Sequence, residues 1–310
     1  MKTMLVFPGQ GAQAVGMGRD LAEGLPACRA LFTQASDVLG FDILKLCVEG
    51  PIEALTRSSN AQPAIFVVSM AARTALGHFA GDALAVGGTA GHSLGEWAAL
   101  CEAGVISFAD AVRVLHARGR FMQEACEATP GGMLAVIGLP AEKVQEIAAA
   151  SGLEVANLNS PVQTVLAGLF ERLPAGETAA KAAGAKRALR LPVAGAFHSS
   201  LMKPAADRLA EFLKNVEFQA PKCPVWSNVT GKPHLAPDEI RGRMVAQVVS
   251  SVRWTDCFTD MAAAGLKRGF ECGPGTVLSG LAPRIVPDSA LKNIFDLAGA
   301  REAAKLCPGP

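Results

Sequence analysis

The 310 residues carry 29 basic and 28 acidic side chains, a formal charge of +1 at pH 7, which excludes binding to nucleic acid or a membrane surface through global charge. Half of the residues are hydrophobic and 18% are charged, so the chain has apolar side chains enough for a large core and too little polar bias for disorder. At roughly 100 to 200 residues per domain, the length predicts one large domain or a large one with a smaller companion.

The first element is the apolar run Met4-Leu5-Val6-Phe7, too short for a signal peptide and read as a strand that enters a glycine-rich turn. Mean hydropathy is +0.28, with Ala and Gly supplying much of it. No uninterrupted apolar run approaches the roughly 20 residues that cross a bilayer, so no membrane partner is expected. Short apolar runs followed by glycine-rich turns recur at 84–88 and 133–137, which is the punctuation of an α/β fold. Between 126 and 198 the texture changes. Strands are predicted at 133–137, 162–167 and 188–192, with helices at 141–150 and 177–183, followed by a helix at 201–216. The expected architecture is a discontinuous α/β core of residues 1–125 and 199–310, interrupted by a small subdomain of ferredoxin-like size at 126–198. The 8 cysteines are scattered singly without a Cys-x-x-Cys pair, which predicts buried free thiols in a reducing cytoplasm rather than disulfides or a metal site.

Gly91-His92-Ser93-Leu94-Gly95 spells G-x-S-x-G between a predicted strand and a predicted helix. A Ser on so sharp a turn needs small neighbours, and it gains an adjacent backbone N–H and a helix N-terminus for a developing oxyanion. The plain alternative is a glycine-rich turn with an ordinary Ser. Of the five histidines, His92 is awkwardly directed for attack chemistry at its neighbour and His116 falls on the polar face of a helix, where solvation is the plain reading. His198, in the tight segment Gly195-Ala196-Phe197-His198-Ser199-Ser200, is the candidate base; a packed loop residue is its alternative. No Asp announces itself as its orienting partner: Asp207 falls on the solvated side of the next helix, so a backbone carbonyl serves as well as a triad.

The loop Pro8-Gly9-Gln10-Gly11-Ala12-Gln13 is a loose match to a dinucleotide fingerprint. Gly16 and Gly18 argue against the helix that such a fingerprint requires, each costing roughly 1 kcal/mol relative to Ala. The loop is better used to present backbone N–H groups. A helix predicted from Ser107, capped by S-x-x-D, places Arg118 in the middle of its apolar stripe. An unpaired guanidinium there is very costly, so Arg118 needs an internal carboxylate, a snorkelling path, or a substrate carboxylate held in bidentate fashion.

Six segments occur in an order and spacing that resemble the malonyl-CoA:acyl carrier protein transacylases of bacterial type II fatty acid synthesis. They are Pro8-Gly9-Gln10-Gly11-Ala12-Gln13, Gly91-His92-Ser93-Leu94-Gly95-Glu96, Arg118-Gly119-Arg120-Phe121-Met122-Gln123, Asn157-Leu158-Asn159-Ser160-Pro161, Gly195-Ala196-Phe197-His198-Ser199 and Glu271-Cys272-Gly273-Pro274-Gly275. The resemblance implies a hydrolase-like core with a parallel sheet and nucleophile elbow, an inserted ferredoxin-like subdomain, and an active site between them. It implies Ser93 as the acylated nucleophile, His198 as general base and acid, Arg118 as the clamp for the malonyl carboxylate, and the N–H groups of Gln10 and Leu94 as the oxyanion hole. It assigns the orienting backbone carbonyl to Gln247. The substrates implied are malonyl-CoA and holo acyl carrier protein, with no cofactor beyond the CoA-borne substrate. Ala196-Phe197 is similar to malonyl-selective relatives.

Two departures stand out: Ser251 where relatives usually carry a Pro that helps fix the backbone near Gln247, and Trp97 where Tyr is usual. Lys181, Lys186, Arg187 and Arg190, with no acid between them, form a candidate docking patch for the acidic carrier; a solvated helix and strand edge is the alternative. The rival readings are a serine esterase or thioesterase, which needs no Arg118, and a dinucleotide-binding protein, which leaves Ser93, Arg118 and His198 without a joint role.

Overall fold

The computed structural model describes residues 3–307. Its first strand, β1 (Thr3–Phe7), is buried along its whole length because it lies at the centre of a five-stranded sheet covered on both faces. That is why Met4-Leu5-Val6-Phe7 is an unbroken apolar run rather than an alternating one. The partners are β2 (Val86–Gly91), β7 (Val225–Trp226), β8 (Arg268–Cys272) and β9 (Ala290–Ile294), in the order β7-β2-β1-β8-β9 and all parallel. β1 and β2 end side by side, Phe7 opposite Gly91. The loops that follow them therefore emerge together at one edge of the sheet, where open α/β folds place their ligands.

A second, antiparallel sheet is formed by β3 (Gly131–Ile137), β4 (Glu154–Ser160), β5 (Gln163–Leu169) and β6 (Arg187–Arg190), in the order β4-β5-β3-β6. Helices Ala141–Ser151 and Leu173–Ala182 pack on it over Leu134, Val136, Val144, Ile147, Leu166 and Leu173. The unit is therefore β-α-β-β-α-β, and the expected β-α-β-α-β series lacked β4. The helix expected at 177 starts earlier, at Leu173, with Pro174 in its first turn, where its missing N–H costs nothing. The helix expected at 201–216 is a short 3₁₀ turn followed by Lys203–Leu213.

The second sheet is tied through β4 to the segment just after Gln247. Leu158 N donates to Val252 O at 2.9 Å and Val252 N to Ala156 O at 2.8 Å, and the Ser251 hydroxyl donates to the Val155 carbonyl. Ser251, the departure from Pro, thus secures this stretch through a side-chain bond that Pro cannot make.

Helix Ser58–Ala80 is long and apolar enough by composition to cross a membrane, and its middle is buried in the main hydrophobic core. It packs against Phe108–Ala128, whose start is capped as expected: Asp110 N donates to Ser107 Oγ at 3.0 Å. All eight cysteines are free.

Candidate active site

At the end of β2 the chain turns sharply and enters helix Gly95–Glu102. The glycines of G-x-S-x-G are required by contact. A Cβ on Gly91 would overlap the backbone of Gly95, and one on Gly95 would overlap the Phe7 carbonyl of the neighbouring strand. Between them Ser93 is held at φ 53°, in the left-handed region. Such a conformation in a non-glycine residue costs of order 1–3 kcal/mol and persists only where the surroundings impose it. Here the restraint is Asn228, which accepts from Ser93 N at 2.7 Å and donates to Gly91 O at 2.8 Å, pinning both sides of the turn. Replacing Asn228 by Ala should cost roughly 1–3 kcal/mol in urea unfolding, since it leaves a buried N–H and a buried carbonyl unpaired. A loss under 0.5 kcal/mol (on the order of a neutral surface change) would contradict this role.

The other described non-glycine residue at positive φ is His198, at 57°. Its Nε2 lies 2.7 Å from Ser93 Oγ and its Nδ1 lies 2.8 Å from Gln247 O. A carbonyl can only accept, so Nδ1 carries the proton and Nε2 is left as the acceptor for the Ser93 hydroxyl. Burial, and after it the positive charge of Arg118, pulls the His198 pKa down to about 3. The imidazole is neutral at pH 7, as a base must be.

Arg118 is 1% exposed and has no carboxylate within salt-bridge distance among the described residues. Its Nη1 donates to Gln62 Oε1 at 2.7 Å, and its Nη2 donates to Ser93 Oγ at 3.2 Å and to Gln247 Oε1 at 3.0 Å. Burial lowers its pKa only to about 10, with Glu96 opposing the shift, so the guanidinium keeps its charge. The internal-ion-pair and snorkelling readings both fail. Arg118 is thus a buried cation held by neutral amides, with one donor on the Ser93 hydroxyl, an arrangement whose chemistry suits an anion.

Gln10 reaches the site from the loop after β1: its Nε2 donates to Ser58 Oγ at 3.1 Å, and its Oε1 accepts from Gln62 Nε2 at 3.4 Å. Gly9 packs so closely on His92 that a Cβ there would lie 2.9 Å from the His92 carbonyl, which holds this loop on the Ser93 turn. Among the described residues, the N–H groups of Gln10 and Leu94 have no acceptor, whereas Ser93 N is committed to Asn228. Gly16 and Gly18 have φ of 98° and 79°, so the loop does not run straight into a helix as a dinucleotide fingerprint does.

His92 turns away from Ser93 to pair with Asn159 Oδ1 at 2.9 Å. His116 is half-buried, 3.0 Å from the Ser59 carbonyl, rather than solvated as expected; the tight packing of its helix on Ser58–Ala80 encloses that side. Trp97 is buried against Phe218 with ring centroids 6.3 Å apart, so the departure from Tyr lies in the core and not at the nucleophile. The basic stretch is half neutralised, because Glu177, one turn upstream, pairs with both Lys181 at 2.6 Å and Arg190 at 3.1 Å.

An acyl transferase domain family matches residues 4–282. The malonyl CoA-acyl carrier protein transacylase of Escherichia coli (strain K12) is 45% identical over 304 residues, covering 96% of this chain and 98% of that protein. The enzyme of the same name from Bacillus subtilis (strain 168) is 39% identical over 289 residues, covering 92% and 90%. This chain belongs to the malonyl-CoA:acyl carrier protein transacylase family.

Solved structures in the family superpose along almost the whole length. The acyl carrier protein S-malonyltransferase of Vibrio cholerae has a TM-score of 0.92 at 41% identity, covering 96% of this chain and 98% of that one. A malonyl-transacylase solved in complex with its type II polyketide acyl-carrier protein has a TM-score of 0.94 at 40% identity, covering 99% and 100%. Within this transacylase, Gln62, Glu96 and Asn228, with His234 behind Glu96, also belong to the hydrogen-bonded cluster around Ser93, Arg118 and Gln247, and the sequence did not single them out. Gln62 carries the one available signal, a polar residue in an otherwise apolar helix run; Asn228 and His234 carry none.

Proposed function

We propose that this chain transfers the malonyl group from malonyl-CoA to the phosphopantetheine thiol of acyl carrier protein through a malonyl-Ser93 intermediate. The observation that carries this reading is the buried Arg118, charged, free of any carboxylate among the described residues, and 3.2 Å from Ser93 Oγ. The parallel sheet and the turn at Ser93 support a hydrolase-like core with a nucleophile elbow. The strand order of the second sheet supports a ferredoxin-like subdomain at 126–198 inserted into a core of 1–125 and 199–310, with the site between them. Free, largely buried thiols fit a reducing compartment, and the cytoplasm is the location we infer.

His198 Nε2 takes the Ser93 proton as Oγ forms a bond to the thioester carbon. The negative charge that develops on the carbonyl oxygen is met by the N–H groups of Gln10 and Leu94. Collapse breaks the C–S bond, and the proton on Nε2 passes to the CoA sulfur. In the second half the carrier thiol gives its proton to His198, attacks the Ser93 ester, and the proton returns to Oγ. The Gln247 carbonyl stabilises the imidazolium formed in each half. Arg118 selects the acyl group, because a neutral one leaves its charge buried and unpaired. Lys186 and Arg187, exposed and without an acidic partner among the described residues, are the part of the basic stretch available to an acidic carrier. The supporting experiment supplies malonyl-CoA and holo carrier protein and follows the carrier's mass. Malonyl on the carrier in excess of free malonate is expected, and release mainly to water would favour a thioesterase instead.

The low His198 pKa gives a pH prediction. The free enzyme keeps its base neutral well below the usual 6.5, so the acid limb of kcat/KM should not lie near that value. In Arg118→Ala, with the second cause of the shift removed, the limb should move to higher pH. For stability the sign is the same: between 6.5 and about 3 the unfolded chain takes up a proton that the folded chain refuses, so His198 destabilises the fold as pH falls through that window. A wild-type acid limb at the ordinary imidazole value would contradict this.

A further inference from the structure

Glu96 sits one turn after Ser93, fully buried, and has no place in the transfer steps above. Its carboxylate is nonetheless completely engaged. Oε1 lies 2.7 Å from His234 Nε2, and Oε2 accepts from Gln247 Nε2 at 2.6 Å and from Asn228 N at 3.1 Å. Gln247 Nε2 also donates to Ser93 O at 3.0 Å. A carboxylate and a carbonyl can only accept, so the NH₂ group of Gln247 must face Glu96 and Ser93. The amide oxygen is then forced to the opposite side, where it receives Arg118 Nη2 at 3.0 Å, the same nitrogen that reaches Ser93 Oγ. The Gln247 backbone carbonyl meanwhile holds His198 Nδ1. One residue thus places both the clamp and the base, and its amide has a single allowed orientation while Glu96 is an anion.

We propose that Glu96, backed by His234, is a positioning residue for malonyl selectivity, acting on Arg118 through the Gln247 amide. This rests on the transacylase reading above. Glu96 supplies two things: the acceptor that turns the Gln247 oxygen toward Arg118, and a buried negative charge separated from the guanidinium by one amide. The second matters because Arg118 has no direct carboxylate partner among the described residues, and Glu96 is the negative group that opposes its loss of charge. A carboxamide at position 96 gives up the charge and replaces one acceptor oxygen by a donor. That NH₂ must then face either His234 Nε2, which requires a change of tautomer, or the N–H groups of Asn228 and Gln247, which it repels.

The test is a double-mutant cycle. In Glu96→Gln, the ratio of malonyl to acetyl kcat/KM should fall about tenfold, and in an Arg118→Ala background the same substitution should leave that ratio unchanged, because the residue through which it acts is gone. His234→Leu, which leaves Glu96 Oε1 unpaired, should lower the ratio in the same direction and stands in for Glu96→Gln if that variant does not fold. Equal fractional losses for malonyl and acetyl, or the same fall in both backgrounds, would mean that Glu96 only supports the fold and would overturn the proposal. Failure of the wild-type enzyme to load malonyl at all would instead overturn the transacylase reading.

Discussion

Arg118→Ala should lower kcat/KM for malonyl-CoA by about 30- to 5,000-fold, the effect of losing roughly 2–5 kcal/mol from a desolvated, hydrogen-bonded charge pair. Acetyl transfer should hold or rise in the same variant. The asymmetry follows from the surroundings: Arg118 is 1% exposed and is held by Gln62 and Gln247, which carry no charge to balance it. Malonyl brings the missing carboxylate. Acetyl brings nothing, and wild-type enzyme must leave the guanidinium buried and unpaired when acetyl is bound. Removing the guanidinium removes that penalty and one of the two causes that depress the His198 pKa. Steady-state kinetics with both thioesters decides it, and an equal loss for malonyl and acetyl would show that Arg118 supports the fold rather than the substrate.

Ser93→Ala and His198→Ala should each reduce transfer by about 10⁴- to 10⁶-fold, with the double variant little worse than either alone, as for groups that act as one unit. The expectation rests on the 2.7 Å contact between Oγ and Nε2 and on the 2.8 Å contact that fixes the imidazole tautomer. Ser93→Ala should also lack any acyl-enzyme by intact mass. The two losses multiplying in the double variant would mean that Ser93 and His198 work independently, against the proposed proton relay.

Ser93 and Arg118, which the structure brings together with His198, stood out in the sequence because each makes a local demand, whereas His198 was reached by elimination among the histidines. Gly91 and Gly95 exist to let one turn close, and Arg118 contradicts the stripe on which it sits. Gln247 was reached only through resemblance, and the bond from its carbonyl to His198 Nδ1 is present although Ser251 stands where Pro is usual. The Ser251 hydroxyl, bonded to the Val155 carbonyl, secures that stretch in its own way. Asn228 was not legible. It lies 135 positions from Ser93, and nothing in its neighbourhood marks it as the residue that holds the Ser93 turn at positive φ. The Glu96 contacts to Asn228 and His234 span 132 and 138 positions and were hidden for the same reason.

In the fold, β1, β3 and β5 announce themselves as apolar runs. β4 does not: Asn157, Asn159 and Ser160 interrupt it, and its pairing with β5 shifts register twice, between Val155 and Asn157 and between Leu158 and Ser160. One of these polar side chains serves another contact: Asn159 holds His92. The strand is stabilised partly from outside its own sheet, by the backbone bonds to Val252, which no local pattern encodes. The charge of the basic stretch was only partly legible. Counted within 181–190 it holds no acid, yet Glu177 reaches two of its four cations across the helix and strand.

The central claim is a malonyl ester on Ser93 that passes to a thiol and not to water. Wild-type enzyme incubated with malonyl-CoA, quenched and digested, should yield the Ser93 peptide carrying one malonyl group. After holo acyl carrier protein is added before the quench, that peptide should return to its unmodified mass as malonyl appears on the carrier's pantetheine. No adduct at Ser93, or an adduct that decays to free malonate as fast with carrier protein as without it, would contradict the account.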